Sequence, residues 1–170
     1  MEVPGLGEVT QGKLGWYHSK PIPIPMFGGQ VCCIVLDGYD EDHHKEDFHI
    51  AIANFLAGSP CVLRDANESL FRYYKDFEDW WLDDERQPIE LADVWCHIQL
   101  GTEPTVTRRA YGDNGVYVSV ECGCDWEDEH DLQIVLKNGL KVTKLGGYDG
   151  HLTNSDAYAN DSLEHIIYHT

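Results

Sequence analysis

Cysteine and histidine side chains between residues 121 and 151 could bind a metal ion. Cys122, Cys124 and His130 offer two thiolates and an imidazole, which are ligands that zinc favours. Zinc sites usually combine two pairs of closely spaced Cys or His ligands, however, and the sequence supplies no second cysteine pair at such a spacing. Since Cys122 and Cys124 share one face of a predicted strand, the spacing favours two buried thiols, and we expect neither a metal nor another cofactor.

Acidic side chains crowd the same segment and could bind a calcium ion instead. Calcium prefers oxygen ligands, and carboxylates are concentrated in a short loop here. The loop contains Asp125, Glu127, Asp128, Glu129 and Asp131. Their spacing is not that of the Asp-x-Asp-x-Asp-Gly calcium loop. The pattern therefore favours an acidic hairpin tip that faces water.

Asp149, His151 and Ser155 are the residue types of a nucleophilic triad. The serine lacks the Gly-x-Ser-x-Gly turn that presents a nucleophile in hydrolases. Glycine-flanked turns and the cap of a short helix explain the same residues. A metal-dependent or hydrolytic enzyme built on residues 122–151 is therefore the alternative to a binding function.

The charge of the chain points to the class of its partner. Thirty Asp and Glu residues stand against twelve Lys and Arg residues, which leaves a net charge of −18. Eighteen of these acids lie in three windows, Asp37–Asp47, Asp76–Glu85 and Glu121–Asp131, with six in each. Such a field repels nucleic acids and anionic membranes but attracts basic proteins. The alternative is that the acids only keep an abundant soluble protein dispersed. We expect a basic protein partner, and neither a nucleic acid nor a membrane.

Trp80 is the candidate anchor for such a partner. On a helix, Trp81 falls on the same apolar stripe as Tyr74 and Phe77, so its neighbour Trp80 is expected to be partly exposed. The alternative is that the Arg86–Glu90 loop partly covers it. An exposed tryptophan ringed by charge is typical of binding hot spots. The predicted binding residues are Trp80, Asp79, Asp83, Trp126, Glu127, Asp128, Glu129, Tyr148, Asp149 and His151.

The sequence also predicts the cellular compartment of the protein. The first residues, Met1–Gly5, are acidic and lack the apolar run of a signal peptide. No window approaches the roughly 18 apolar residues that a membrane span needs. We expect a cytoplasmic protein with reduced thiols.

Two helices are predicted, over residues 44–57 and 66–82. Apolar residues recur with the period of a helix from Phe48 to Leu56 and again from Leu70 to Trp81. Asp65 with Glu68 three residues later is similar to a capping box at the start of the second helix.

Several strands are predicted around these helices. Short strands are expected within Leu6–His18, and the apolar run Val31–Leu36 is expected to be one strand buried on both faces. Alternation over Val94–Leu100 and Val116–Cys122 indicates two more, the latter paired with Thr105–Ala110. Leu163–Tyr168 is predicted as the last strand, although the segment is short enough to be a helix.

A hairpin is predicted around Lys137–Gly139. A three-residue loop with a left-handed Gly139 would place Leu136 opposite Leu140 and Ile134 opposite Val142, which gathers apolar residues on one face. The order of elements indicates an α+β fold, with one mainly antiparallel sheet and two helices packed on a face. The length fits a single globular domain, residues 1–170.

The segments Phe48–Leu56, Cys124–His130 and Gly147–Asn154 carry a resemblance that spans most of the chain. They resemble an uncharacterised family of small bacterial proteins, a domain of unknown function, which has no assigned catalytic residues. The small size and acidic composition are also similar to those of immunity proteins of bacterial toxin systems. We therefore expect an acidic protein-binding module, an immunity-type inhibitor of a basic toxin, rather than an enzyme.

Overall fold

The computed structural model describes all 170 residues, apart from the side chain of Asp128. The strands are β1 (Glu2–Val3), β2 (Gly7–Gln11), β3 (Tyr17–Ser19), β4 (Ile22–Ile24), β5 (Gln30–Cys32), β6 (Val35–Asp37), β7 (Ile98–Gln99), β8 (Thr105–Arg108), β9 (Val116–Cys124), β10 (Glu127–Lys137) and β11 (Lys141–Gly147). The α-helices are α1 (Lys45–Ala57), α2 (Cys61–Arg64), α3 (Asn67–Asp83) and α4 (Asn154–Tyr158). Short 3-10 helices cover Lys13–Gly15, Pro25–Phe27, Val94–His97 and Asp161–Leu163.

One large sheet dominates the fold. Its strands run in the order β1-β2-β3-β6-β8-β9-β10-β11, with β7 paired to the end of β9, while β4 and β5 form a separate two-stranded sheet. All the pairs are antiparallel except β6 with β8, which the three helices between them connect as a crossover. The α+β class and the mainly antiparallel sheet are confirmed. The two long helices are confirmed as well. Helix α4 overlaps the short helix expected at Asp156–Ala159, and α2 is an addition to the prediction.

The core lies between the long helices and one face of the sheet. Helix α1 buries the predicted stripe, with Phe48, Ala51, Ile52 and Phe55. Helix α3 buries Leu70, Tyr73, Tyr74 and Trp81. These side chains join the inward residues of β9 and β10 in one hydrophobic cluster that extends from Val3 to Tyr168. The apolar stripe of each helix therefore determines which side of the helix packs on the sheet, because burial of that side removes it from water.

The predicted strand Val31–Leu36 is wrong, since the run is divided between β5 and β6 in two different sheets. Val31 is exposed rather than buried. Between the two strands, Cys33 N donates to Thr102 O at 2.9 Å, and Ile34 N donates to the Ser19 hydroxyl at 2.8 Å. These distant acceptors satisfy the backbone where the chain changes sheets.

The predicted strand over Val94–Leu100 is mostly wrong. Residues Val94–His97 form a 3-10 helix, and only Ile98–Gln99 pair with β9. Cys96 N donates to Asp93 O at 2.8 Å, which closes the turn. Val94 is buried while Cys96 is exposed, so the alternation of residue types does not correspond to alternation of burial.

The predicted last strand, Leu163–Tyr168, is also wrong. The segment begins as a 3-10 helix over Asp161–Leu163, and Asn154 Nδ2 then donates to Ile166 O at 2.8 Å and Ile167 O at 3.2 Å. A side chain therefore takes the place of a strand partner here. One backbone bond, from Leu145 N to Ile167 O at 2.9 Å, joins the segment to β11.

The capping box predicted at Asp65 is absent, because Asp65 ends α2 and Ala66 precedes α3 without a side-chain cap. The hairpin between β10 and β11 has a three-residue loop, Asn138–Leu140, with Gly139 at φ 67° as predicted. The predicted register is wrong, since Leu136 pairs with Val142 and Ile134 pairs with Leu145. The paired positions skip Thr143, and this bulge restores apolar residues to one face.

Candidate functional site

An open groove lies where the end of α3 meets the turn between β9 and β10. Its volume is about 490 Å³. We call it the acidic groove, and it is lined by Phe77, Trp80, Trp81, Asp84, Arg86, Asp125, Trp126, Glu127, Glu129 and His130. Two of the three acidic windows in the sequence therefore converge on one feature, although some 40 residues separate them along the chain.

The two neighbouring tryptophans of α3 have opposite environments. Trp81 is 8% exposed, whereas Trp80 is 77% exposed at the edge of the groove. Trp81 is fixed because its Nε1 donates to Gln87 O at 2.6 Å. Trp80 gains no comparable burial, so its indole remains an apolar surface in water beside Asp79 and Asp83, which are exposed as well.

An arginine of the chain already lies inside the groove. The Arg86 guanidinium lies over the Trp81 ring at 4.4 Å from its centroid. Its Nη1 donates to Asp125 O at 3.2 Å, and its Nη2 is 3.5 Å from the Asp84 carboxylate. The groove therefore accommodates a guanidinium between an indole face and oxygen acceptors.

Carboxylates on both sides of Trp80 and at Glu129 differ from those of the first acidic window, whereas Asp84 and Asp125 of the groove pair with Arg86 and His97. Asp42 and Asp47 are neutralised by Arg108, at 2.6 Å and 3.0 Å. By contrast, Asp79, Asp83 and Glu129 form no side-chain hydrogen bond or ion pair within the described part of the chain. These carboxylates are therefore not held in a direct ion pair, although the Lys75 ammonium, one helical turn away, interacts with Asp79 electrostatically. They remain able to attract a cation.

Trp126 and Glu127, both predicted to bind a partner, are buried and support the turn from inside. Each is 7% exposed. The Glu127 carboxylate accepts the backbone N–H groups of Glu129 at 2.7 Å and His130 at 3.1 Å. The side chain of Asp128 lies outside the described residues. Glu129 is therefore the predicted residue of this turn that is exposed at the groove.

Tyr148, Asp149 and His151 do not reach the acidic groove. Asp149 accepts a hydrogen bond from the buried Lys144 ammonium at 2.7 Å and lies 3.5 Å from the His151 ring. Lys144 also donates to Gln133 at 2.9 Å, and burial lowers its pKa. Tyr148 lies in a separate depression beside Trp16. Asp149 lines a second cavity, of about 420 Å³, to which Glu127 and His130 also contribute. The predicted binding residues therefore lie on more than one surface.

The family of the chain follows from its sequence over most of its length. Residues 5–152 match the family model described as Domain of unknown function (DUF6985). The chain belongs to this family. The matched range of DUF6985 includes both halves of the acidic groove, α3 and the β9–β10 turn. No curated protein and no solved structure matches the chain significantly. None of its described helices has the length and apolar character required to cross a membrane.

The hydrolytic triad considered for this DUF6985 member is not assembled. Ser155 is buried, and its hydroxyl interacts with Arg109 Nη2 at 3.0 Å, with Thr153 Oγ1 at 2.9 Å and with the Glu164 carboxylate. Among the described side chains, no imidazole is hydrogen-bonded to this serine. Thr153 caps α4 by accepting from Asp156 N, which explains the local pattern of hydroxyl groups without catalysis.

The possible metal ligands of this DUF6985 domain are also not brought together. Cys122 and Cys124 are buried beneath the sheet, and burial raises the pKa of each thiol to about 12. His130 has an imidazole that is 69% exposed, and it pairs with Glu127 at 3.4 Å. No three described His, Cys, Asp or Glu side chains lie close enough to hold an ion. The donor geometry gives the metal-enzyme alternative no support.

The thiols provide a prediction that chemical labelling can check. Cys61 and Cys96 are exposed, while Cys122 and Cys124 are protonated and buried. Thiolates are the reactive form, and Ellman's reagent must also reach the sulfur atom. At neutral pH we therefore expect it to modify Cys61 and Cys96 about tenfold faster, or more, than Cys122 and Cys124. Mass spectrometry of digested samples would identify the sites, and denatured protein would serve as the control. Equal rates for Cys122 and Cys61 in the folded protein would contradict this burial.

Sequence reasoning missed the buried cations of this DUF6985 member. Arg109 is 3% exposed and Lys144 is 2% exposed. Both lie at positions where strand alternation points them to the face of the sheet opposite α1 and α3. For Arg109, which lies near the end of the predicted Thr105–Ala110 strand, the alternation in the sequence is sufficient to predict this face. Nothing local identifies the main carboxylate partners of Arg109, because Asp156 and Glu164 arrive from a distant segment. The partner of Lys144 is local in sequence, since Asp149 follows it by five residues.

Proposed function

We propose that this DUF6985 protein is an acidic binding module, whose acidic groove docks a basic partner protein. The observation that carries the proposal is the 77% exposure of Trp80 beside carboxylates that form no direct ion pair with a described cation. Covering this much exposed apolar surface with a partner removes it from water, which lowers the free energy of the complex. The surrounding carboxylates attract a basic surface and exclude an acidic one.

The partner class that fits best is a basic bacterial toxin in the cytoplasm, which the protein would inhibit as an immunity protein does. A net charge of −18 steers a cationic protein toward the groove over a distance of about one Debye length, roughly 8 Å at physiological salt. A nucleic acid is repelled by the same field. Inhibition then requires that the docked surface of the toxin includes the basic residues with which it holds its own anionic substrate.

Two variants with the same net charge test the location of docking. The groove variant combines Asp79→Asn, Asp83→Asn and Glu129→Gln, and the control combines Glu2→Gln, Glu41→Gln and Glu68→Gln. All six residues are exposed, and none has a side-chain partner within the described part of the chain. We expect the groove variant to bind a fluorescent arginine-rich peptide about tenfold more weakly than the control variant, as measured by anisotropy.

Substitutions of Trp80 measure the contribution of its apolar ring to peptide binding separately from that of charge, in the same assay. We expect Trp80→Ala to weaken peptide binding at unchanged net charge, and Trp80→Phe to retain more of the affinity because it keeps an apolar ring. Equal affinities for the groove and control variants would mean that only the overall charge attracts the peptide, and the proposed docking site would then be wrong.

A further inference from the structure

We infer that the acidic groove recognises an arginine side chain of its partner, and that Arg86 is an internal competitor for the same place. This inference rests on the proposed docking function. The Arg86 guanidinium covers the Trp81 ring at 4.4 Å and reaches Asp125 O at 3.2 Å. The protein itself therefore shows which chemical group the groove accommodates.

The contacts of Arg86 suit a guanidinium better than an ammonium ion. A guanidinium is planar, so it can stack on an indole while its edge donates hydrogen bonds to oxygen atoms in its plane. Here the indole is Trp81, and the acceptors are Asp125 O and the Asp84 carboxylate. The lysine ammonium is compact and more strongly hydrated. It has no planar group that could stack on the indole while also donating hydrogen bonds from its edge.

The groove offers places for a second guanidinium. Trp80 presents an indole that is 77% exposed, and Asp83 lies one helical turn from it, with its carboxylate in water. Trp126 also lines the groove and is 7% exposed. Its buried Nε1 has no acceptor among the described atoms. This donor is enclosed, so it is not available to a docked partner in the present conformation. A partner segment that brings an arginine would instead match the exposed indole of Trp80 and the carboxylate of Asp83.

Arg86 is held loosely enough to be displaced. Its side chain is 46% exposed, and its distance of 3.5 Å to Asp84 is longer than that of a tight ion pair. While it lies on Trp81, however, it blocks that ring and adds a positive charge to the groove. Removal of Arg86 should therefore improve the binding of an arginine-rich peptide.

The test compares Arg86→Ala with Arg64→Ala, which removes an exposed arginine from α2. Both variants change the net charge equally. We expect Arg86→Ala to bind a fluorescent arginine-rich peptide about two- to fivefold more tightly than Arg64→Ala does. Arg86→Lys keeps the charge but loses the planar stacking, and it should fall between Arg86→Ala and the unaltered protein. A lysine-rich peptide of equal length should bind more weakly than the arginine-rich peptide.

Three results would overturn the inference: equal affinities for Arg86→Ala and Arg64→Ala, weaker binding by Arg86→Ala, or equal binding of the two peptides. Circular dichroism and thermal unfolding would establish that each variant is folded, and Arg86→Lys provides the comparison if Arg86→Ala is not. The charge-matched acid variants keep the two ideas apart. If the groove variant loses affinity while Arg86 has no effect, docking stands and arginine recognition fails.

Discussion

Replacing Arg109 with methionine is expected to lower the free energy of unfolding by about 3–5 kcal/mol, since it leaves partly buried carboxylates without their cation. Arg109 is 3% exposed. Its guanidinium donates to Asp156 at 2.7 Å and 2.8 Å, and to Glu164 at 2.6 Å and 2.9 Å. These bonds attach α4 and the following segment to the end of β8. Urea unfolding at neutral pH would measure the loss.

The pH dependence of this loss has a definite sign. Arg109 lowers the pKa of both Asp156 and Glu164 in the folded protein. The unfolded chain therefore binds more protons as the pH falls, and the contribution to stability, complete above the unfolded pKa of about 4, is lost as the pH drops through the folded pKa values. The difference between the unaltered protein and Arg109→Met should thus be largest near pH 7 and shrink on acidification.

Arg64→Met is the matched control for Arg109→Met. Arg64 is exposed and forms no side-chain ion pair in the described part of the chain, so the change should cost less than about 0.5 kcal/mol. A loss below about 1 kcal/mol for Arg109→Met, or a loss that does not vary with pH, would show that the network does not hold the C-terminal segment in place.

The second large effect is expected from Gly139→Ala, at about 3 kcal/mol of lost stability. Gly139 has a φ of 67°, a conformation that alanine adopts at a cost. A Cβ atom there would also collide with Ala51 O and lie 2.9 Å from Phe55 N, both in the backbone of α1. Because a helix backbone cannot move aside locally, the hairpin and α1 would have to separate. Thermal and urea unfolding would record the loss.

Gly28→Ala isolates the collision from the backbone cost. Gly28 has a φ of 66°, and a Cβ at that position meets no atom within 4 Å. We expect this control to lose only about 1 kcal/mol, which is the penalty for the left-handed conformation. If the two alanine variants were equally stable, the close packing of the β10–β11 loop against α1 would be refuted.

The amphipathic elements could be predicted closely from the sequence. Helix α1 occupies Lys45–Ala57 against a predicted 44–57, and α3 occupies Asn67–Asp83 against 66–82. Both helices are set by an apolar stripe that is local in sequence. The pairing of β8 with β9 was predictable for the same reason, because a short turn joins two alternating segments.

Elements that depend on distant partners could not be predicted. Val31–Leu36 looks like one buried strand, yet the chain changes sheets where Ser19 and Thr102 supply acceptors from other segments. Leu163–Tyr168 is apolar enough for a short strand, but Asn154 occupies two of its carbonyl groups. Periodicity reports which side of a segment is apolar and carries no information about such partners.

The same distinction explains the candidate site. The exposure of Trp80 could be predicted, because it follows from the helical stripe that buries Trp81. The prediction places Asp149 and His151 on the same binding surface, but Asp149 instead pairs with Lys144 of the preceding strand β11. The stacking of Arg86 on Trp81 depends on the path of the loop after α3, and nothing in the spacing of the residues indicates it.

The central claim is that basic proteins dock at one groove rather than anywhere on an acidic surface. The most direct measurement is the ratio of dissociation constants for the two charge-matched variants, with a single arginine-rich peptide at physiological salt. A ratio of about ten, with the groove variant as the weaker binder, is the expected result. A ratio of one would show that −18 charges attract polycations without a site, and the account of docking would be contradicted.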